Sequence, residues 1–408
     1  MSTGDNMSQY PDFQSPDFLR SHMLSILDFY EKNVDDNALG GFRQNFYDSG
    51  DVFDTGTKQL VSSTRLVFNY CVASEVFAQP AYLARAARGL DYVREQHWDP
   101  ARKGYHWVLN NNIPVDSTNH CYGLAFVMLA YATAHKQGIA NAYQGIGHTW
   151  DILEQRFWQA DQGLYADEAT PDWSVVSDYR GQNANMHCCE ALLAAFEATG
   201  EARYLDRAYR LANTVAVELA AKGGGLVWEH FTSALEPDWE FNKEDPKNLY
   251  KPWGFQPGHQ TEWSKLLLTL HQHRPEPWMV DRAKALFDAA WEKCWDEARG
   301  GLYYGHAPDG RICDDEKYFW VQAESFAAAA MLALATGESH YWDCYQKLWQ
   351  YSWDHMIDHQ YGAWYRVLSA DNQPLSNIKS AAGAKCDYHT LGACYQVLQL
   401  LKANREGK

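Results

Sequence analysis

Hydrophobic residues recur along most of the chain at intervals of three and four positions, which places them on one face of an α-helix. The pattern predicts twelve helices, over residues 18–34, 60–77, 81–96, 118–135, 143–157, 185–199, 202–220, 262–273, 278–294, 321–336, 341–357 and 388–402. Gly200 and Gly337 directly follow two of these stretches, as expected where a helix ends in a left-handed residue. The chain is therefore predicted to be all-α.

A short phrase recurs six times between the predicted helices: an aromatic or acidic stretch, a glycine, and then an aromatic or aliphatic residue. Its glycines, at positions 41, 104, 163, 225, 301 and 362, are 63, 59, 62, 76 and 61 residues apart. The one long interval contains an inserted loop over residues 238–258. Such even spacing indicates an internal repeat of two helices, and the phrases are predicted to form short hairpins between helix pairs.

Six helix pairs with short connections can close on themselves as two concentric rings, an (α/α)6 barrel. An open solenoid of stacked pairs has the same periodicity, but closure is favoured because six is the number that such barrels use. No linker divides the 408 residues, so residues 17–408 are predicted to form a single barrel domain. Residues 1–16 are polar and aperiodic, and we predict a flexible tail there.

The composition excludes several classes of partner. A net charge of −17 argues against nucleic acid, and the lack of a long apolar run or leader argues against a membrane, so a cytoplasmic protein is expected. The nine cysteines contain no CxxC, which favours buried reduced thiols over disulfides or zinc. The 17 Trp and 25 Tyr mainly fill a core, although aromatic rings also suit the C–H faces of sugars.

Polar residues at the starts of the predicted inner helices are candidates for a site, because those ends meet at one end of such a barrel. Five segments qualify, over residues 63–68, 178–187, 251–263, 317–324 and 386–389. They bring three histidines to helix starts, His187, His259 and His389, and histidine suits acid–base chemistry near neutral pH. The competing interpretations are a core position for His187 and helix capping by Asn183 or Asn185.

Individual spacings sharpen these candidates. Pro257-Gly258 predicts a tight turn that delivers His259 to a helix, and Glu262 follows on the same face, where it would fix the histidine tautomer. Arg65 interrupts an apolar helix and needs a buried partner, such as a sugar hydroxyl or carboxylate. No GxGxxG, GxxxxGK[ST], GxSxG or HExxH motif occurs, so no cofactor and no metal are expected.

Three sequence motifs carry a resemblance to a known family: Tyr-Arg-Gly-Gln-Asn-Ala-Asn-Met-His at 179–187, Pro-Gly-His-Gln-Thr-Glu-Trp at 257–263 and Asp-Tyr-His at 387–389. They resemble the N-acylglucosamine 2-epimerase superfamily, over residues 20 to 402. With Glu229-His230-Phe231 and the Asn242-Lys243 region, they look most like its aldose–ketose isomerase branch, which interconverts D-mannose and D-fructose. The resemblance implies an (α/α)6 barrel, no metal, and a cis-enediolate intermediate.

The resemblance also assigns residues. His259 and His389 match the two catalytic histidines, and a second group matches positions that line the sugar pocket. That group is Arg65, Tyr122, Asn183, His187, Glu262, Trp320 and Glu324. On this basis His389 would carry the proton between C2 and C1, His259 would assist ring opening, and Arg65 and His187 would stabilise the enediolate oxygens. The chain departs from the branch at Gln182 and at Gln260-Thr261, which concerns the sugar contacts.

Other functions compete with a mannose isomerase. A sugar 2-epimerase acting on mannose and glucose, on cellobiose-type disaccharides or on N-acylglucosamine would use the same residues. A glycoside hydrolase would need a carboxylate pair, for which Glu262 and Glu324 are the candidates, and it would leave the histidines without a purpose. A non-catalytic sugar- or protein-binding barrel is the remaining alternative. The preferred monosaccharide, including D-lyxose with D-xylulose or talose, and assembly as a homo-oligomer stay open.

Overall fold

The computed structural model describes residues 10–406, and this part of the chain contains thirteen α-helices. They are α1 (Pro16–Glu31), α2 (Leu60–Phe77), α3 (Pro80–Tyr92), α4 (Cys121–Lys136), α5 (Ala142–Arg156), α6 (Gln182–Thr199), α7 (Ala202–Asn213), α8 (Ala220–Lys222), α9 (Pro257–His273), α10 (Pro277–Cys294), α11 (Phe319–Thr336), α12 (His340–Tyr351) and α13 (Tyr388–Glu406). The three-residue α8 continues α7 through a π-helical turn at Thr214–Leu219. The other twelve helices confirm the predicted number.

The helices form two concentric rings. The inner ring runs α2, α4, α6, α9, α11 and α13, each helix packing on the next, and α13 packs back on α2. The outer helices α3, α5, α7, α10 and α12 each pack on the inner helix that precedes them in the chain. The remaining outer helix, α1, packs on α13, the last inner helix. Contact between the first and last members closes the inner ring, so the predicted (α/α)6 barrel is confirmed and the open solenoid is wrong.

Burial explains which helix takes which ring. The outer helix α7 buries only one stripe, at Tyr204, Ala208, Leu211 and Ala212, whereas inner helices are buried nearly all round. Within the described residues, α11 is long and apolar enough to cross a membrane by length and composition alone. It lies in the inner ring with 78% of that stretch buried, as core helices do. The expectation that no such apolar run exists was therefore too strict.

Eighteen short strands connect the helices within the described residues, in small antiparallel sheets of two or three strands. They are β1 (Asn45–Tyr47), β2 (Val52–Asp54), β3 (Thr57–Gln59), β4 (Trp98–Asp99), β5 (Gly104–Tyr105), β6 (Val108–Asn110), β7 (Ile113–Asp116), β8 (Asn119–His120), β9 (Trp158–Gln159), β10 (Leu164–Tyr165), β11 (Glu168–Ala169), β12 (Arg180–Gly181), β13 (His230–Phe231), β14 (Gly305–His306), β15 (Ile312–Asp314), β16 (Lys317–Tyr318), β17 (Val367–Leu368) and β18 (Ile378–Ser380).

The recurring phrase forms the predicted hairpin in five of its six copies. In each of these an antiparallel pair joins residues seven positions apart: Asp35 with Phe42, Trp98 with Tyr105, Trp158 with Tyr165, Trp295 with Leu302, and Ile357 with Trp364. The copy at Gly225 instead closes α8, where its N–H donates to the Ala220 carbonyl. Gly301 and Gly362 have φ values of 82° and 85°, a conformation that explains the glycine.

In three of the hairpins, an aspartate of the turn forms an ion pair with a buried lysine. We call these the hairpin Lys–Asp pairs: Lys58 with Asp36 (2.8 Å), Lys317 with Asp296 (2.8 Å) and Lys379 with Asp358 (2.6 Å). All six side chains are almost completely buried. Each aspartate also accepts two backbone N–H groups of its own turn. A lysine about 21 residues after each aspartate therefore ties a hairpin to the strand that follows it.

The predicted N-terminal tail divides into two parts. Residues 1–9 lie outside the described residues. Phe13 is fully buried, with its ring 5.4 Å from Trp349, and its carbonyl accepts a 2.7 Å hydrogen bond from Tyr345. The packed domain therefore begins before Pro16, because an aromatic residue in the polar segment fills a gap against α12.

Candidate active site

The N-terminal ends of the inner helices converge on a pocket of about 600 Å³, a volume that includes its open mouth. Eight of the nine predicted site residues line it, and they come from all six inner helices: Arg65, Tyr122, Asn183, His187, His259, Glu262, Trp320 and His389. Glu324 lies directly behind His389. The structure thus gathers into one place residues that are up to 324 positions apart in the chain.

Each of the three pocket histidines is held by a glutamate. In these histidine–glutamate pairs the ring Nδ1 donates to a carboxylate: His187 to Glu190 (2.9 Å), His259 to Glu229 (2.8 Å) and His389 to Glu324 (2.6 Å). Nδ1 is thereby the protonated nitrogen, and Nε2 of each ring has no hydrogen-bond partner among the described residues. The arrangement leaves three basic nitrogens available to a molecule in the pocket.

The predicted partnership of His259 with Glu262 is wrong. The helix begins at Pro257, so Pro257-Gly258 forms its first turn rather than a separate tight turn. From there His259 reaches Glu229, which precedes β13 and whose other oxygen accepts from Gln182 (2.9 Å). This contact joins segments 30 residues apart, and spacing within one helix cannot reveal it.

Glu262 lies deeper, with Oε1 3.9 Å from Nδ1 of His187. Burial, and then the charge of Glu324, raise its pKa well above the usual range. The raised pKa favours the protonated form of Glu262, which can donate a hydrogen bond as well as accept one.

Three buried polar atoms in the pocket wall have no partner: Nε of Arg65, Oδ1 of Asn183 and Oε1 of Glu262. Buried polar atoms are seldom left unpaired, since each costs about 1–3 kcal/mol. A ligand rich in hydroxyl groups would pair all three, because a hydroxyl both donates and accepts.

Arg65 is fixed by aromatic rings. Its guanidinium lies 4.2 Å from the Phe126 ring centroid and 4.9 Å from that of Tyr388, and it donates to the Tyr122 hydroxyl at 2.9 Å. The predicted need for a partner is thus met in part by Tyr122. The remaining Nε has no hydrogen-bond partner within residues 10–406 and is free for a ligand.

His389 and Glu324 are both deprotonated at neutral pH, so that the imidazole is neutral and the carboxylate is charged. Burial lowers the pKa of His389 to about 4, although Glu324 acts against this. Burial also acts to raise the pKa of Glu324, but Lys265 and the hydrogen bond from His389 hold it at about 2. His389 is therefore a neutral imidazole beside a carboxylate, as a general base requires.

Trp320 lies between two of the histidines, with its ring 4.9 Å from that of His259 and 5.7 Å from that of His389. The opposite wall comes from the inserted loop 238–258, through Leu249, Tyr250 and Pro252. The Tyr250 hydroxyl accepts from Gln59 and donates to the Gly383 carbonyl, which ties the loop to the barrel. The loop is thus part of the pocket wall.

The family model for N-acylglucosamine 2-epimerase (GlcNAc 2-epimerase) matches residues 40–393 of this chain. The chain belongs to this epimerase family. It is 51% identical over 393 residues to the D-mannose isomerase of Marinomonas mediterranea, covering 96% of this chain and 99% of that protein. A crystal structure of D-mannose isomerase superposes with a TM-score of 0.94 at 51% identity, over 96% and 100% of the two chains.

A more distant structure shares the fold. The cellobiose 2-epimerase of Bacillus thermoamylovorans superposes with a TM-score of 0.84 at 19% identity, over 94% of this chain and 99% of that one. The predicted resemblance to the N-acylglucosamine 2-epimerase superfamily is confirmed by the family match over residues 40–393.

The two asparagines that were candidates for capping have other roles in this family member. Helix α6 starts at Gln182 with Gly181 as its N-cap residue. Asn185 braces the backbone of Tyr165 through its amide (2.8 and 3.0 Å), and Asn183 donates to the Tyr250 carbonyl (3.0 Å). Asn183 therefore links the inserted loop to the pocket, and its oxygen stays free.

Sequence reasoning missed several groups of this epimerase-family site. Further wall residues come from loops between helices: Tyr304, Tyr318, Arg366, Gly383 and Ala384. Glu229 was visible only inside the phrase Glu229-His230-Phe231, with no role attached. Lys265 was hidden in the apolar pattern of α9, although a lysine at a core position is itself a signal.

Two groups of buried side chains offer several metal-type ligand atoms within 4.8 Å of one another. They are His187, Glu190 and Glu262, and Glu262, Glu324 and His389. The ammonium of Lys265 already forms an ion pair with Glu324 inside this cluster, and the cluster's carboxylates overcome burial to raise the pKa of Lys265. The positive charge that these carboxylates need is thus supplied by the chain itself.

Proposed function

We propose that this protein interconverts D-mannose and D-fructose, with His389 as the base that carries the proton between C2 and C1. The observation that carries the proposal is the neutral His389, whose Nε2 is unpaired at a pocket lined by three unpaired polar atoms. The likeness to D-mannose isomerase over nearly the full length of both chains supports the choice of sugar.

The carbon-bound proton moves first. In the open-chain aldose, Nε2 of His389 takes the C2 proton, and the C2–H electrons form the C1–C2 double bond of an enediolate. The imidazolium that results is stabilised by Glu324, which is ionised and bonded to Nδ1. Return of the same proton to C1, on the same face, gives the ketose. One base on one face is sufficient for this step.

One oxygen-bound proton must move as well, from O2 to O1. Arg65 and His187 lie where they can stabilise the charge that develops on these oxygens, and Glu262, whose pKa is raised by burial, lies beside them. His259, whose tautomer is set by Glu229, is the group we assign to ring opening, where a proton leaves O1 and one is delivered to O5.

A glycoside hydrolase fits the geometry poorly. Both oxygens of Glu324 are occupied, Oε1 by His389 and Oε2 by Lys265, so this carboxylate cannot attack a glycosidic carbon. A 2-epimerase remains a specific second candidate, because His259 offers a second unpaired Nε2 on the far side of Trp320. That nitrogen could return a proton to the opposite face of C2.

The experiment is incubation of the pure protein with D-mannose in buffer, followed by ¹³C NMR of the products. Fructose is expected as the first product, and D-lyxose, which lacks only the C6 group of mannose, is expected to give D-xylulose. Glucose appearing before fructose would favour the 2-epimerase. A parallel incubation with cellobiose tests the disaccharide, which the wall formed by Leu249 and Tyr250 is expected to exclude.

We further propose that the protein works on free sugar in the cytoplasm. All nine cysteines are free thiols, and eight of them are buried. Cys121 and Cys188 lie with their sulfur atoms 3.5 Å apart. Buried free thiols are typical of proteins that work in a reducing compartment.

A further inference from the structure

A second cavity lies behind the pocket, at the opposite end of the barrel. It spans about 1460 Å³ including its open mouth and is lined by the C-terminal halves of the inner helices. Its inner end is formed by four side chains that also stand behind the pocket histidines: Glu190, Lys265, Glu324 and Tyr388. We call this space the rear cavity. Only this layer of side chains separates it from the substrate pocket.

Lys265 is the one ammonium group in that layer. Its Nζ forms an ion pair with Glu324, which in turn accepts from Nδ1 of His389. Lys265 is not among the residues that line the substrate pocket, and the reaction as derived above does not use it. A buried lysine is costly to retain, so its charge needs an explanation.

The charged and titratable groups around Lys265 come from every inner helix packed near it. They are Arg65 of α2, His187 and Glu190 of α6, Glu262 of α9, Glu324 of α11, and Tyr388 and His389 of α13. The cations Arg65 and Lys265 face Glu190 and Glu324, whose pKa values are lowered, and Glu262, whose pKa is raised. Without Lys265 these carboxyl groups would lose a compensating positive charge, which would favour the uptake of a proton.

We propose that Lys265 is a positioning residue for proton transfer: from the rear cavity its ammonium keeps Glu324 ionised, and Glu324 thereby keeps Nε2 of His389 free to take the substrate proton. The inference rests on the proposed function for its substrate, but the charge relay from Lys265 through Glu324 to His389 is a property of the free protein. Lys265 acts on His389 through Glu324, with which it forms the ion pair.

The first test replaces the charge and keeps the shape. Lys265→Met is expected to lower kcat about 10- to 100-fold while KM for mannose changes less than about threefold. The acid limb of its pH–rate profile is expected to move upward by about one unit or more, because the uncompensated layer holds a proton more tightly. Lys265→Arg keeps the charge and should recover part of the loss. Lys136→Met, a lysine half-exposed in the same cavity, is the matched control and should behave as the wild type.

The rear cavity permits a second test by chemical rescue. Lys265→Ala leaves a space that opens on this cavity, so ethylammonium added to the buffer should restore part of the turnover. Tetramethylammonium at equal ionic strength has no N–H donor and should not. Failure of ethylammonium to restore a folded Lys265→Ala protein would contradict access to Lys265 through the rear cavity.

A measurement without turnover separates this inference from the choice of substrate. The His389 ring signal, followed by NMR against pH in the free protein, should titrate at higher pH in Lys265→Met than in the wild type. Unchanged titration together with unchanged kcat would overturn the role of Lys265, whatever sugar the enzyme prefers. A wild type inactive on mannose but with the expected shift in titration would instead overturn only the proposed substrate.

Discussion

The three histidines of the pocket have the same partner type and the same free nitrogen, yet their surroundings differ. His389 is paired with a carboxylate that a lysine holds ionised, His187 with one that also accepts from the Tyr388 hydroxyl, and His259 with one that accepts from Gln182. Such environments separate the roles of chemically identical groups. The histidine whose protonated form is best stabilised is expected to be the strongest base towards a carbon-bound proton. That histidine is His389.

Removal of this base tests its role directly. His389→Ala is expected to lower kcat by about 10²- to 10⁴-fold, because the C2 proton then has no acceptor on its face. The melting temperature should stay near that of the wild type. His340→Ala, at a histidine more than half exposed on α12, should retain full activity. Wild-type turnover by the His389 variant would contradict the mechanism.

Glu229 orients His259, a role that sequence spacing had assigned to Glu262, and this role can be tested. Glu229→Gln keeps the shape of the side chain but removes the charge that orients His259. We expect kcat/KM for mannose to fall about 10- to 100-fold through slower ring opening. An experiment with acyclic substrate analogues that need no ring opening provides the control, since they should be affected less. Equal losses for both substrates would show that His259 does not serve ring opening.

The pKa of His389 sets the expected pH dependence. A pKa near 4 in the folded protein means that the base stays neutral, and so competent, throughout the range above about pH 5. As pH falls through that pKa the ring takes up a proton and activity is lost. The midpoint of the acid limb of kcat/KM should therefore lie well below the ordinary histidine value of about 6.5. A midpoint at 6.5 or above would show that another group, or a solvated His389, controls the rate.

Much of the site was predictable at this scale, and the missing part has one cause. Polar residues at helix starts identified His187, His259 and His389 from sequence, because the ends of inner helices must meet. Their partners were not identified, since Glu229 and Glu324 reach them across the barrel from other segments. Lys265 lies in a stretch whose apolar pattern is that of a core helix.

At the scale of elements, the hairpins hold the ends of the helices in place. The sequence phrase predicted them through its glycine, but the hairpin Lys–Asp pairs that fasten three of them were not predicted. Helix starts were also displaced where strands intervened: α4 begins at Cys121 rather than at 118, because Asn119-His120 pair with β11. Periodicity reports which face is buried, and pairing with a distant strand leaves no trace in it.

A hairpin Lys–Asp pair should contribute strongly to stability. Lys379→Met leaves Asp358 charged and buried without its cation, which is expected to lower the free energy of unfolding by about 3–5 kcal/mol. Lys243→Met removes an exposed pair with Glu240 and should cost less than about 1 kcal/mol. Urea unfolding followed by tryptophan fluorescence measures both. Similar small losses for the two variants would mean that Asp358 is hydrated in the native state.

For the whole molecule, the barrel separates two kinds of surface. One end of the inner ring carries the substrate pocket and the other the rear cavity, and the buried charges lie between them. The buried charges include two cations, Arg65 in the pocket wall and Lys265 behind it, which has a consequence for metal dependence. The outer surface carries most of the excess of 17 negative charges.

We expect that removal of metal ions leaves the activity unchanged. Dialysis against EDTA should not alter kcat, because Arg65 and Lys265 balance the carboxylates that a cation would otherwise bind. Added Mg²⁺, Mn²⁺ or Zn²⁺ should give no activation, and Zn²⁺ could inhibit by displacing the Lys265 ammonium from Glu324. Loss of turnover on chelation with recovery on adding one metal would contradict this prediction.

The closure of the inner ring also determines when the barrel can be completed during synthesis of the chain. The outer helix α1 packs on α13, and α2 packs on the same helix, so the earliest helices to leave the ribosome share a partner that is made last. Until then α2 exposes a face that the finished barrel buries, and the nascent chain must be protected from aggregation for most of its synthesis. A circular permutant that joins α13 to α1 and has its new termini in the exposed turn after α4 would place α13 directly before α1 and α2 in the chain. It should refold faster than the protein in its natural order.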